Sequence, residues 1–284
     1  MIPFNSQIFN KIYKSLFAYS KMELKKTIAV SVLFLVLVFQ MFTAAALTSY
    51  EAKQNWFDAR AISREKQEEH RDAKIEYAAN PNPENKQDVI DTGKEVLHAA
   101  LNEVEAWLIW RNLEVEENPE IPSNLKEDIQ EDVDRNLRVI EDLRDDVDGI
   151  ETRLDLGIVF LQMIGKYIEL VTDVARNSGK VWVHVGNTLL DRAEDYETKL
   201  REAAEEMLNN EEILEKLDLA QEDLDEAREN VDSAEQSYLQ VVLPGTPLQK
   251  FQEGNNYMRT AKSNLISAHN NLNQAYRLIV WGGQ

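Results

Sequence analysis

Two stretches near the end of the chain constrain its fold more than anything else in the sequence. In the first, apolar or small residues fall at Ile213, Leu217, Ala220, Leu224, Ala227, Val231, Ala234, Tyr238 and Val241. In the second they fall at Phe251, Gly254, Met258, Ala261, Leu265, Ala268, Leu272, Ala275 and Ile279. Steps of three and four alternate almost without fault, the period of helices that pack along their length. Large and small residues also alternate, and small ones let two backbones approach closely. The turn "LPGTP" joins the stretches, with Thr246 as cap, Pro247 at the first helical position and Gln249 three residues after the cap. The pattern predicts a tight antiparallel helical hairpin.

The same punctuation organises the chain upstream. "NPNPEN" at 80–85 offers Asn82 as N-cap and Pro83 as first helical residue. "NPEIPSN" at 118–124 breaks the chain again, with Asn124 and Glu127 spaced as a capping box. Residues 49–79 read as a charged helix with Phe57 and Ile62 inward. Within 85–117, Ile90, Gly93, Leu97, Ala100, Leu101, Val104 and Leu108 form a core stripe. From Leu125 to Ala175, apolar positions recur at the straight helical period of about 3.6 residues, so 124–176 reads as one rod that runs through Gly149. Asn209-Asn210 reads as a break or kink. Only 10 Gly and 7 Pro in 284 residues leave few turns for a sheet protein. The expected fold is all-α: an elongated antiparallel bundle of five to six long helices with coiled-coil packing, residues 47–284 forming one domain.

The segment "LGIVFLQMIGKYIELV" (156–171) is the most apolar part of this body. Charge-free runs at 156–165 and 181–190 flank "NSGK", and each is about half the length a spanning helix needs. The expectation is a central apolar helical hairpin over 150–208, buried as the inner helices of the bundle. Ile158, Phe160, Ile164, Val181, Trp182 and Val183 are its candidate interaction residues. "KVWVHVGN" (180–187) alternates like a strand but has no partner strand, so it reads as helix or extended connector. Gly186-Asn187 followed by Thr188 and Asp191 suggests a fresh helix start.

The N-terminus carries a different signal. Lys25-Lys26 precede 24 uncharged residues, and Ala44-x-Ala46 closes the run as a signal-peptidase site would. Residues 1–46 therefore read as a secretory signal cut after Ala46, or as a membrane anchor, with Met22 a natural start. Either way the body lies outside the cytoplasm, secreted or tethered. An uncleaved segment would hold the membrane through residues 27–47. Five lysines and one glutamate give the first 46 residues +4, so the rest carries −24 of a formal net −20. Such a body repels phosphate backbones, which argues against a nucleic-acid partner.

No residue pattern announces chemistry. The absence of Cys excludes thiolate catalysis and disulfides. Glu95-x-x-His98 has the spacing of a di-iron ligand pair but occurs once, where two are needed. "RDDVDGIETRLD" (144–155) departs from a calcium loop at its first and last positions. His70, His184 and His269 lie near no nucleophile motif, and Trp107, Trp110 and Trp182 read as core or interface. Expected, then, is a non-enzymatic protein without cofactor or metal. It acts through structural or protein–protein contacts at the cell envelope, with an unidentified protein partner or further copies of itself. In layout alone the chain resembles the α-helical pore-forming toxins, a long bundle with an apolar hairpin between its middle helices. That likeness implies a second expectation, a membrane-active protein using 156–190.

Overall fold

The computed structural model describes residues 47–281, and all six of its regular elements are α-helices: α1 (Ser49–Ala79), α2 (Pro83–Glu116), α3 (Ser123–Asp148), α4 (Arg153–Glu205), α5 (Glu211–Leu239) and α6 (Pro247–Trp281). The expected signal or anchor lies outside the described residues. Among the described residues no helix is long and apolar enough to cross a membrane.

Side-chain caps set the starts of α1, α2 and α4. Thr48 caps α1 in a reciprocal box with Glu51, and hydrogen bonds from Thr48 hold the Glu51 carboxyl below its usual range. Asn82 caps α2 by accepting from the backbone N–H of Asn85 at 2.8 Å. The predicted box of Asn124 and Glu127 does not form: Pro122 takes the cap position of α3 and no side chain bonds there. The backbone carbonyl of Thr246 accepts the first bond of α6, from Lys250 at 3.0 Å. Asn209, at φ 61°, turns the chain between α4 and α5, where the paired asparagines predict a break.

Two expectations fail along the chain's middle. The rod predicted over 124–176 is interrupted after Asp148, because Thr152 and Asp155 form a reciprocal capping box that starts a new helix. That new helix does not turn at "NSGK". It runs on for 53 residues, about 80 Å, so the hairpin predicted within 150–208 is a single helix. Residues 180–187 are helical within it, and Thr188 starts nothing: its hydroxyl bonds back to the carbonyl of His184. The side chains around Asn177-Ser178-Gly179 are small enough to be absorbed into a helix packed on both sides.

Consecutive helices run antiparallel. Pairs such as Lys66–Glu95 and Arg60–Glu103 join α1 to α2, and Asp223–Asn271 and Glu226–Asn264 join α5 to α6. The long helix α4 is shared by two cores. Its first half packs Val159 and Leu170 with Ile90, Leu97, Leu101, Ile140, Leu143 and Val147 of α2 and α3. Its second half packs Ala175, Val183 and Leu190 with Leu224, Val231, Tyr238 and Ala268 of α5 and α6. The predicted α5 seam is buried at every position, and Gly254, Ala261, Ala268, Leu272 and Ala275 are buried along α6. In α1 the pattern misleads. Phe57 and Ile62 are exposed, and Ala52, Ser63 and Ala73 form the buried face against α2.

Glycines make the close approaches between α4, α5 and α6. The ring of Tyr238 lies against Gly179 on one side and Gly254 on the other, and its hydroxyl donates to Asn255 Oδ1 at 2.7 Å. Burial pushes its phenol pKa far up. Gly186 receives Val231 and the end of Met258. A Cβ at Gly254 would stand 2.6 Å from the Tyr238 ring, which is held from both sides and cannot swing clear. Gly179→Ala and Gly254→Ala should each cost about 1–3 kcal/mol, read as a lowered thermal midpoint by circular dichroism.

Charges fix α3 against α4. Asp132 receives Arg176 at 3.0 Å, and Asp173 receives both Arg176 and Arg135 at 2.8 Å. Burial alone would raise the Asp132 carboxyl, but hydrogen bonds from Arg135, Arg176 and Asn177 outweigh it and hold the group below the usual range. The folded protein therefore binds this proton less tightly than the unfolded chain. That stability is present above the ordinary value of 3.8 and fades as pH falls through and below it. Asp132→Asn should cost about 1–3 kcal/mol at pH 7 and flatten the acid side of the stability curve in urea titrations between pH 5 and 3.

Candidate functional site

A helix that packs on two sides buries two stripes. On α4 the stripe facing α5 and α6 runs through Thr172, Ala175, Gly179, Val183, Gly186 and Leu190, all buried. Continued toward the N-terminus at the same spacing, it runs through Ile168, Gly165, Leu161, Ile158 and Leu154. These residues are uncovered. Leu154 is 72% exposed and Leu161 67%, with Ile158, Ile164 and Ile168 also exposed. Phe160 and Tyr167 flank the stripe and are exposed as well.

The cause is a difference in length. The helix α4 has 53 residues, whereas α5 has 29 and α6 has 35. Tyr238, in the last turn of α5, seats on Gly179, so the hairpin of α5 and α6 ends near there. Below that point α4 packs on α2 and α3 through Leu156, Val159, Met163 and Leu170 on its opposite side, and Arg153 lies over the Tyr77 ring of α1 at 4.8 Å. Seven large apolar side chains, each about half exposed, leave roughly 5–10 kcal/mol of burial free energy unrealised. A patch of this extent on a helical protein marks an interaction surface.

The glycines of α4 repeat the distinction. Gly179 and Gly186 are filled by side chains of α5 and α6, whereas Gly157 and Gly165 have nothing within 4 Å. A glycine inside a helix costs about 1 kcal/mol against alanine, so the open pair has no folding rationale within the chain.

The structure divides the six residues singled out in the sequence. Ile158, Phe160 and Ile164 lie on the uncovered stretch, exposed. Val183 is buried in the core with α5 and α6, and Val181 and Trp182 are half-buried, Trp182 stacking on Phe251 at 6.1 Å. The expectation that 156–171 is an inner, buried helix is overturned on one side of that helix. The missed signal is "TRLD" at 152–155, a capping pair that resets the helical phase after Gly149. Positions 154, 158, 161, 164 and 168 extend the α3 seam only if no break intervenes.

The residues of the metal-like patterns and the histidines make the following side-chain contacts. His98 Nε2 lies 2.9 Å from Asp148 Oδ1, and Glu95 pairs with Lys66 at 2.9 Å. In 144–155, Arg144 bonds Asn102 and Glu105 while Asp155 caps α4. His70 meets Thr92 Oγ1 at 3.0 Å, and His184 meets the carbonyl of Glu120 at 2.8 Å. His269 meets Asn273 at 2.8 Å, and burial lowers its pKa. Among the described residues no group of three or more His, Asp or Glu is placed to hold a metal ion. A shallow, open hollow is lined by Arg201, Asp218, Glu222, Asp225 and Glu229.

No protein family matches the chain, and no curated protein or solved structure matches it. The uncovered stretch of α4 is thus read from its own chemistry. Ile158→Asp should leave the helical circular dichroism and its cooperative melt intact in dilute solution, within about 0.5 kcal/mol. Val183→Asp should abolish the cooperative melt, because it places an unpaired charge in the core.

Proposed function

We propose that this is an exported or membrane-tethered, non-enzymatic helical-bundle protein that works through contacts of its helix faces, with coiled-coil packing in its C-terminal hairpin. The observation that carries the proposal is the apolar stripe of α4 from Leu154 to Ile168, which no part of the described chain covers. The basic, apolar, small-residue pattern of residues 1–46 supports placement outside the cytoplasm. The strongly acidic body argues against a nucleic-acid partner. Contact with another protein fits a stripe that continues, at the same spacing, one already covered by helices.

The exposed stripe also motivates a second reading, insertion into lipid, since a bilayer too would cover it. The two readings separate in one experiment. The full chain is produced in its host with the single thiol of an Ile158→Cys variant, and intact cells are treated with a membrane-impermeant maleimide and with protease. The body should be cleaved from outside, with a mature N-terminus at Leu47 or, if tethered, with the first segment retained. The purified protein should not release dye from anionic vesicles. Protection of the body from external protease would overturn the placement, and vesicle leakage suppressed by Ile158→Asp would favour the lipid reading.

A further inference from the structure

The uncovered stretch of α4 is symmetric about its own centre. Around Leu161, isoleucines stand three residues away on both sides (Ile158 and Ile164). Glycines stand four residues away (Gly157 and Gly165), and Leu154 and Ile168 stand seven away. A stripe that reads nearly the same in both directions suits a two-fold axis, because a two-fold interface places one patch against itself.

We propose that the partner of this stripe is a second copy of the chain, packed antiparallel through α4 with the dyad at Leu161. The proposal rests on the reading of the stripe as a contact surface and names its occupant. In that arrangement Leu161 meets its own counterpart and Ile158 meets the partner's Ile164. The open glycines face each other, as Gly157 meets the partner's Gly165, so the two backbones come close where nothing in one chain approaches them. Arg153 and Glu169 stand on opposite flanks of the stripe and stay with their own chain, Arg153 over the Tyr77 ring at 4.8 Å and Glu169 paired with Lys166 at 2.9 Å. The exposed parts of the seven apolar side chains, with Phe160 and Tyr167 at the rim, set an upper bound on the order of 700 Å² per copy, against roughly 800 Å² per partner for a standard stable interface. The covering helix does for the first half of α4 what α5 and α6 do for the second half.

A chain without cysteine permits a direct test, because an introduced thiol has no competitor. In the full chain under mild oxidation, Leu161→Cys should give a disulfide-linked dimer, since a dyad at this position brings the two thiols together. Leu154→Cys and Ile168→Cys should each link poorly alone, about tenfold less, because equal positions then lie about 21 Å apart along the axes. Mixed together, L154C and I168C should link to each other. Adding Gly165→Leu to L161C should abolish linking while leaving the circular dichroism unchanged, because that side chain meets nothing in its own chain. Equal linking by all three single variants would overturn the antiparallel arrangement. An L161C thiol that stays unlinked but resists maleimide would overturn the second copy and leave the contact surface standing, covered by the N-terminal segment, lipid or another protein. An unlinked thiol that maleimide modifies freely would overturn both.

Discussion

Small residues at 179, 186 and 254 let α5 and α6 lie close on α4, and the rest of the structure follows from that contact. Tyr238 is held between two glycines, so the ring becomes a fixed spacer among three helices. The alternation of large and small residues along the α5 and α6 seams serves the same end. A bulky seam would hold the helices farther apart, whereas an all-small seam would bury too little apolar area. The contact also holds the middle of α4 straight through Asn177, Ser178 and Gly179, a sequence that would otherwise favour a turn.

One rigid helix then belongs to two cores. Its first half completes the core of α2 and α3, locked by the ion pairs of Asp132, Arg135, Asp173 and Arg176. Its second half completes the core of α5 and α6. The α5 and α6 hairpin is too short to follow α4 to its beginning, and the stripe it covers emerges bare between Leu154 and Ile168. The exposed surface is thus a consequence of unequal helix lengths on a shared axis. The covered part is made of smaller residues, Thr172, Ala175, Gly179, Val183, Gly186 and Leu190, whereas the bare part carries leucine and isoleucine around Gly165.

Much of this was legible in the sequence where the determinants are local and repeated. The α5 and α6 seams, the cap at Asn82 and the break at Asn209-Asn210 each rest on residues a few positions apart. The core stripe of α2 was legible for the same reason. The helix α1 was not, because its buried face against α2 is made by Ala52, Ser63 and Ala73, leaving Phe57 and Ile62 outside. Hydropathy cannot rank a buried serine above an exposed phenylalanine. The candidate site was half legible. The apolar character of 156–171 stood out, but which side of the helix was bare depended on the phase reset at Thr152 and on where α5 ends. The first is a four-residue signal set against a fifty-residue period; the second is a tertiary fact. Continuity through 177–180 had no local signal, since it comes from packing on both sides.

The central claim is that α4 is one unbroken helix carrying a covered and an uncovered length of the same stripe. The distance between spin labels on cysteines introduced at Gln162 and Arg192, both exposed, tests it most directly, with labelled chain diluted into unlabelled chain. Thirty residues of continuous helix place the two backbones about 45 Å apart. A narrow distribution near that value is predicted. A distance of about 10 Å, as packed antiparallel arms would give, would mean that the chain folds back near Asn177. The bare face would then be an ordinary hairpin interior.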